Sequence, residues 1–227
     1  MTSKIHTDIG DVNDDIDDTD NEERNDKISV QPLPDREHIL QDRKRLCNAV
    51  RIIAWAYLLL HLDLTFGTVN VLPDWAGYLL ILDALPVLAK EESSAVLLKP
   101  LCIILSLWEG IMWCAAIFGA QPDWELIGLL VNVVGLYFHF QLLTDLALIA
   151  EKYGCPEGKR ILKLRTVRTI LLTLTFLPQY LTFPDSMYEG STIFLIGINL
   201  VVAYFLCRAL FSLCGSLTPD AQEERDG

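Results

Sequence analysis

Six apolar segments, joined by short polar connections, make up most of the chain after its first 47 residues. Their boundaries fall near residues 48–66, 75–89, 97–119, 124–149, 164–183 and 192–214. Most are close to the ~20 residues that an α-helix needs to cross the hydrocarbon core of a bilayer. Lipid cannot satisfy exposed backbone polar groups, so such segments cross it as helices. The sequence therefore predicts an all-α, polytopic membrane protein with six transmembrane helices, arranged as three helical hairpins.

The negative charge of the chain is concentrated before the first apolar segment. The net charge is −12, and residues 1–35 contribute −8 of it, from eleven carboxylates and three basic side chains. A stretch with so few large apolar side chains cannot offset the entropy lost on ordering. We therefore predict a disordered acidic tail over residues 1–34, a juxtamembrane helix over 35–47, a transmembrane domain over 48–215 and a short C-terminal tail over 216–227.

The acidic tail also has an approximate calcium-loop spacing. Positions 1, 3, 5, 7, 9 and 12 of such a loop would be Asp11, Asn13, Asp15, Asp17, Thr19 and Glu22. Ile16 stands where the sharp turn of the loop needs glycine, and no helices are predicted on either side. The spacing leaves calcium binding open, and a solvated acidic tail is the favoured interpretation.

The distribution of basic residues predicts the orientation of the helices. The chain has 18 Lys and Arg residues, and none lies in the connections 67–74, 120–123 and 184–190. One of the other connections, with the start of the helix that follows, holds Lys152, Lys159, Arg160, Lys163, Arg165 and Arg168. Basic residues near membrane helices favour the cytoplasmic side. Both termini are therefore predicted to be cytoplasmic.

A Pro-Asp pair occurs in each of the three predicted outer connections. The pairs are Pro73-Asp74, Pro122-Asp123 and Pro184-Asp185. Proline ends or redirects the incoming segment because it lacks an amide donor. The aspartate is then expected to cap the next helix and to favour the positive end of its dipole. Two interpretations stay open: a parallel internal repeat of three hairpins, or three hairpins capped independently by the same chemistry.

The first of these turns carries a resemblance to known proteins. Its run Leu72-Pro73-Asp74-Trp75-Ala76-Gly77-Tyr78 resembles the LPDxxGY-type first outer loop in a family of small multi-pass bacterial membrane proteins. The resemblance is confined to the region of this loop. It implies a location in the bacterial inner membrane, and it implies no reaction, substrate or cofactor.

Ionisable side chains inside the apolar segments are the candidate functional residues, since charge is costly within a bilayer. At 1.5 Å per residue from the segment ends, Glu109 and His139 fall near the midplane. Asp83, Asp145 and Arg208 fall in the inner third. In one interpretation these residues line a polar path, with Glu109 and His139 as a proton-active pair and Asp145 and Arg208 as a gating or substrate-anchoring ion pair. In the other they only hold the helices together.

Helical spacing also relates four polar residues of the fourth apolar segment. Asn132 and His139 are seven residues apart and share one face of a helix. Gln141 and Asp145 are four residues apart, which is the spacing of a side-chain pair. The segment is therefore expected to present two polar patches to neighbouring helices.

Sequence signatures of enzymes, metal sites and nucleic-acid binding are missing. The chain has no H-E-x-x-H, G-x-S-x-G or Walker motif, and its four histidines have no metal-ligand spacing. Its six cysteines include no C-x-x-C pair and none in a predicted outer connection. We predict no metal, no cofactor and no disulfide framework, and catalysis is not favoured. The basic surface would face membrane headgroups, which argues against nucleic acid as a partner.

Two classes of function follow from these features. The first is a small permease or channel-like protein for a cation, a proton or a small polar solute, because intramembrane charges mark such paths. The second is a non-catalytic assembly, sensor or regulatory protein. Its acidic tail or basic inner loop would bind another protein, since a disordered tail can fold on binding. The oligomeric state does not follow from the sequence.

Overall fold

A computed structural model describes residues 36–61, 65–66, 69–70, 73–120, 124–180 and 185–218. The described residues form six α-helices, which confirms the predicted all-α class. The helices are α1 (Arg36–Leu59), α2 (Asp74–Glu91), α3 (Leu98–Ile117), α4 (Glu125–Lys152), α5 (Glu157–Tyr180) and α6 (Asp185–Ser216). A 3₁₀ helix, Ser93–Leu97, joins α2 to α3. Two two-residue strands, β1 (Thr65–Phe66) and β2 (Val69–Asn70), pair antiparallel between α1 and α2, with Thr65 opposite Asn70.

Three of the helical regions are long and apolar enough to cross a membrane. They are Ser93–Ile117, Leu126–Lys152 and Phe194–Ser216. At most 33% of such an apolar window is buried inside the protein, so most of its surface is available to lipid. The predicted membrane class is therefore supported by three helices and not by six.

The other three helices fall short for identifiable reasons. The first half of α1 is rich in charged side chains, and the 18 residues of α2 include four, Asp74, Asp83, Lys90 and Glu91. The first half of α5 carries five basic side chains, which leaves an apolar stretch of little more than three turns.

Helix boundaries differ from the predicted segments at both ends of the domain. The predicted juxtamembrane helix and first apolar segment form one continuous helix, α1, which ends at Leu59 and not at residue 66. At the other end α6 begins at Asp185, so the predicted outer connection 184–190 is mostly helical. The acidic residues Asp185 and Glu189 suit this early start, because carboxylates are favourable in the first turns of a helix.

The Pro-Asp turns begin helices in a different way from the one predicted. Pro73 occupies the N-cap position of α2, and Asp74 is the first helical residue, where it complements the helix dipole instead of capping from outside. Trp124 is the N-cap of α4. Asp185 begins α6, and its side chain is not described. The positions of Pro122, Asp123 and Pro184, the acidic tail with its calcium-loop spacing, Asp63 and residues 219–227 lie outside the described residues.

Small residues allow close helix crossings. A Cβ atom added to Gly77 of α2 would lie 2.8 Å from Cγ of Leu60 and 3.3 Å from the carbonyl oxygen of Ala56 in α1. One added to Gly158 of α5 would lie 2.9 Å from the carbonyl oxygen of Ala147 in α4. Glycine at these positions lets backbones approach closely, as at many helix interfaces in membranes.

The turn between α4 and α5 depends on one left-handed residue. Gly154 has φ 67°, which a residue with a side chain rarely adopts. The amide of Cys155 donates to the carbonyl oxygen of Ala150 at 2.8 Å, so the turn ends α4 with a Schellman-type hydrogen bond. The short reversal packs α5 back along α4 and brings its basic first half against that helix.

Helix α1 contributes to the core in which the other helices meet. Ile53 and Tyr57 of α1 are fully buried, together with Leu85 of α2, Phe138 of α4 and Leu206 of α6. Trp55 of α1 makes an edge-to-face contact with Phe211 of α6. Tyr57 lies against α4, where the polar side chains described below are found.

Candidate functional site

A polar cavity of about 150 Å³ lies between α2, α3, α4 and α5. Its polar lining consists of Tyr78 from α2, Glu109 from α3, Asn132 and His139 from α4, and Arg168 from α5. Leucine and valine side chains complete the wall. The predicted common face of Asn132 and His139 is thus the face that α4 turns to the cavity. Glu109 and His139, predicted to lie at one depth, line the same cavity.

His139 is held by two tyrosines. Its Nδ1 lies 3.1 Å from the hydroxyl of Tyr57, and its Nε2 lies 3.3 Å from the hydroxyl of Tyr78. A neutral imidazole donates through one nitrogen and accepts through the other. One tyrosine therefore donates to the ring, and the other accepts and keeps its own proton for another acceptor. The arrangement orients His139 in the wall and occupies both ring nitrogens, so the predicted proton-active pair with Glu109 is not a direct hydrogen bond.

Arg168 is the most unusual group of the cavity. It lies about three turns into α5, and only 6% of its surface is exposed. Its Nε and Nη1 atoms are buried without a hydrogen-bond partner, and its guanidinium carbon lies 5.2 Å from the centre of the Tyr57 ring. The ion pairs among the described side chains are Arg45–Asp42 and Lys152–Glu91, and neither includes it. A buried cation without an anion is costly, because buried charges are normally paired and hydrogen-bonded.

Arg165, one turn earlier on α5, is bound differently. Its Nη1 donates to the hydroxyl of Thr144 at 2.7 Å. Its guanidinium carbon lies 4.1 Å from the centre of the Phe140 ring, which is close enough for a cation–π interaction. Two arginines on one helix thus differ in role. Arg165 ties α5 to α4, although its Nε is also buried without a partner, whereas Arg168 lines the cavity.

Asp145 belongs to a separate polar cluster, further along α4 than His139. It is fully buried, and its Oδ1 accepts from Oγ of Ser94 at 2.8 Å and from Nε2 of Gln141 at 2.7 Å. The predicted pairing of Gln141 with Asp145 is confirmed. The predicted ion pair of Asp145 with Arg208 does not form among the described residues, because Arg208 is exposed on α6. Ser94 and Gln141 both donate to Oδ1, and Oδ2 is buried without a partner. Asp83 is likewise exposed, on α2, and does not line the cavity.

Sequence reasoning missed three residues of the site. Tyr57 and Tyr78 carry no signal in a single sequence, since aromatic residues are common in membrane helices. Arg168 was assigned to the inner end of its helix with the other basic residues. Helix α5 starts at Glu157, before the apolar segment, so Arg168 lies deeper than that segment indicated. Counting residues from the start of α5, and not from the start of the apolar segment, places Arg168 near the level of the cavity.

Other cavities of the described structure have a different character. One of about 370 Å³, at α1 and α6, is lined by His61, Tyr204 and apolar side chains. Another of about 400 Å³, at the α4–α5 turn, is lined by the exposed Glu151 and Lys159, whose charges are accessible to solvent. The described residues also contain no group of three His, Cys, Asp or Glu side chains that could hold a metal ion.

The fold and the site together define a class, that of helical membrane proteins with a small charged cavity between their helices. No protein-family model matches the chain, and comparisons with curated proteins and with solved structures gave no significant match. The function must therefore be argued from the site itself.

Proposed function

We propose that all six helices span a membrane, with both termini in the cytoplasm. In this arrangement the first turn of α5, with Lys159 and Arg160, faces the cytoplasm. The connection from α2 to α3, flanked by Lys90 and Lys99, faces the same side. The connections without Lys or Arg lie on the other side, as the positive-inside rule requires. The resemblance of the first outer loop supports the bacterial inner membrane as the location.

Cysteine labelling tests this topology. In a cysteine-free background, a cysteine at Ala120 should react with a membrane-impermeant maleimide added to intact cells. A cysteine at Lys159 should react only after the cells are permeabilised. Both residues are exposed in the structure, so access to the reagent depends on the side of the membrane. Labelling of Lys159→Cys in intact cells would contradict the proposed orientation.

We propose that the protein is a small permease for a small polar solute, which binds in the cavity lined by Glu109, His139 and Arg168. The single observation that carries this proposal is Arg168, which lines the cavity and whose buried Nε and Nη1 atoms have no hydrogen-bond partner. Burial of an unpaired charge is expensive for folding, and such groups in membrane helices mark substrate or ion pathways. Arg165 differs in that it donates a hydrogen bond to Thr144 and lies against the Phe140 ring.

The position of the cavity supports transport over a purely structural role. His139 lies near the middle of α4, one of the three helices long enough to span a membrane. Gln141 and Asp145 follow on the same helix, toward the proposed inner side, where Ser94 of the 3₁₀ helix donates to Asp145. Polar groups at successive levels of the helix would bind a polar solute as it leaves the cavity toward that side. The two tyrosines keep His139 oriented throughout, so the cavity is organised before the solute enters.

Flux measurements test the permease proposal. The purified protein is reconstituted in proteoliposomes, and uptake of a panel of labelled amino acids, monocarboxylates and amines is measured with and without a pH gradient. We expect protein-dependent uptake of at least one solute, reduced at least ~10-fold by Glu109→Gln, because loss of one charged contact to a ligand costs more than ~1.4 kcal/mol. Asp83→Asn removes an exposed carboxylate from α2 and is the matched control, with uptake unchanged.

Two outcomes would overturn the permease proposal. One is the absence of uptake of every solute by the parent protein. The other is an equal effect of Glu109→Gln and Asp83→Asn, which would mean that the cavity does not select the solute. The first result would favour the partner-protein function, in which the acidic tail or the basic region around Lys159 binds another protein. The second would leave transport standing and remove the cavity as its site.

A further inference from the structure

Two opposite charges line the cavity without pairing with each other. Glu109 enters from α3 and Arg168 from α5, and no ion pair between them occurs among the described residues. Glu109 is half-buried and Arg168 almost fully buried. Two opposite charges that line one cavity without pairing contribute less to stability than a direct ion pair would. Direct contact would gain Coulomb energy in a medium of low dielectric constant, and separation forfeits it.

The charge balance of the cavity restricts what it can hold. When Glu109 is ionised, its carboxylate and the guanidinium of Arg168 sum to zero. A monoanion would pair with Arg168, face the carboxylate of Glu109 and add net charge within the membrane. A monocation would do the converse. A neutral solute with separated charges is the one kind that satisfies both groups and leaves no net charge buried.

The size of the cavity restricts the solute further. A volume of about 150 Å³ is the size of an engineered cavity that accommodates benzene, so about six non-hydrogen atoms fit. The planar fork of an arginine is suited to a carboxylate, which it binds with two parallel hydrogen bonds. The amide of Asn132 and one tyrosine hydroxyl are further polar groups near the charged ones. The volume and donors match a short amino acid.

We propose that the cavity binds a small zwitterionic α-amino acid of the size of glycine or alanine, with the carboxylate on Arg168 and the ammonium on Glu109. This inference rests on the proposed function, in which the same cavity carries the transported solute. His139 orients Tyr78 at the wall and neither gains nor loses a proton on binding.

Isothermal titration calorimetry in nanodiscs tests the inference with three probes of nearly equal size. Alanine carries both charges, propionate only the carboxylate, and ethylamine only the ammonium. Alanine is expected to bind at least ~30-fold more tightly than either of the others, since each loses one charge-assisted contact of about 2 kcal/mol. In Glu109→Gln, alanine should weaken at least ~10-fold, while propionate should bind as well as before or better, because the repelling carboxylate is gone. Phenylalanine should not bind.

The possible outcomes separate this inference from the permease proposal. If propionate or ethylamine binds the parent protein as tightly as alanine, the zwitterion assignment is overturned. If none of the three binds although another solute is taken up by proteoliposomes, the assignment also falls and transport stands. If alanine binds with the expected dependence on Glu109 but is not taken up, the assignment stands and the permease proposal falls.

Discussion

Arg168→Met should make the ligand-free protein more stable and abolish solute binding at the same time. Arg168 is 6% exposed and has two unpartnered nitrogens, so folding buries a charge that has no anionic partner among the described residues and that the Tyr57 ring, 5.2 Å from the guanidinium carbon, offsets in part. Replacement of buried charged groups by apolar side chains of similar volume often stabilises a protein, by about 1–4 kcal/mol. We expect a gain of this size in the free energy of unfolding, measured by SDS titration in mixed micelles. Binding of alanine should weaken at least ~30-fold.

Arg165→Met is the matched control for this prediction. It removes an arginine from the preceding turn of the same helix, and with it the hydrogen bond to Thr144 and the contact with Phe140. It should therefore lower the free energy of unfolding by about 1–2 kcal/mol. Opposite signs for the two variants would show that Arg168 is retained at a cost to stability. If Arg168→Met also unfolds more readily than the parent protein, Arg168 is a packing residue, and its role in binding loses its support.

His139→Ala should destabilise the protein on the order of 4 kcal/mol. The substitution empties the space of a buried ring, which by itself costs a few kcal/mol. It also leaves the hydroxyls of Tyr57 and Tyr78 without their partner, and an unsatisfied buried polar group costs about 1–3 kcal/mol. SDS titration monitored by tryptophan fluorescence measures the change. Solute binding should be lost as well, because Tyr78 would no longer be held in the cavity wall.

A mutant cycle separates the hydrogen bonds of His139 from its packing. His139→Leu is compared in the parent protein and in the variant with both Tyr57→Phe and Tyr78→Phe. In the double variant no hydroxyl remains to be left unsatisfied, so His139→Leu should cost about 2 kcal/mol less there than in the parent protein. Equal costs in the two backgrounds would mean that the imidazole contributes only volume, and that its two hydrogen bonds do not orient it.

The sequence made some of the cavity residues predictable and left others without a signal. Glu109 and His139 could be singled out because a carboxylate and an imidazole near the midplane of apolar segments are conspicuous. Depth along a helix follows from residue number, and so their common level was predictable. The rotation of each helix about its axis is set by packing, and no single segment encodes it. Asp83 and Arg208 were chosen by the same depth argument, and both are exposed on the outside of their helices.

The partner of Asp145 illustrates the same limit. Its pairing with Gln141 is within one helix at a spacing of four residues, so it follows from helical geometry. Its second partner, Ser94, comes from the 3₁₀ helix between α2 and α3, and its position depends on how those helices cross α4. The ion pair with Arg208 was plausible from depth alone. It failed because α6 turns Arg208 away from the interior.

The sequence by itself determined the class of this protein. Apolar segments of membrane length predict helices, because lipid offers the backbone no other partners. Because most charged residues lie outside those segments, the sequence also predicts where the helices end. Only the tertiary structure decided which polar groups meet. Close crossings at Gly77 and Gly158 set the faces that α2 and α5 present, and they bring Tyr78 and Arg168 to one cavity with Glu109 and His139. The physical reason is that polar side chains meet through helix packing, and packing brings together residues that are far apart in the chain.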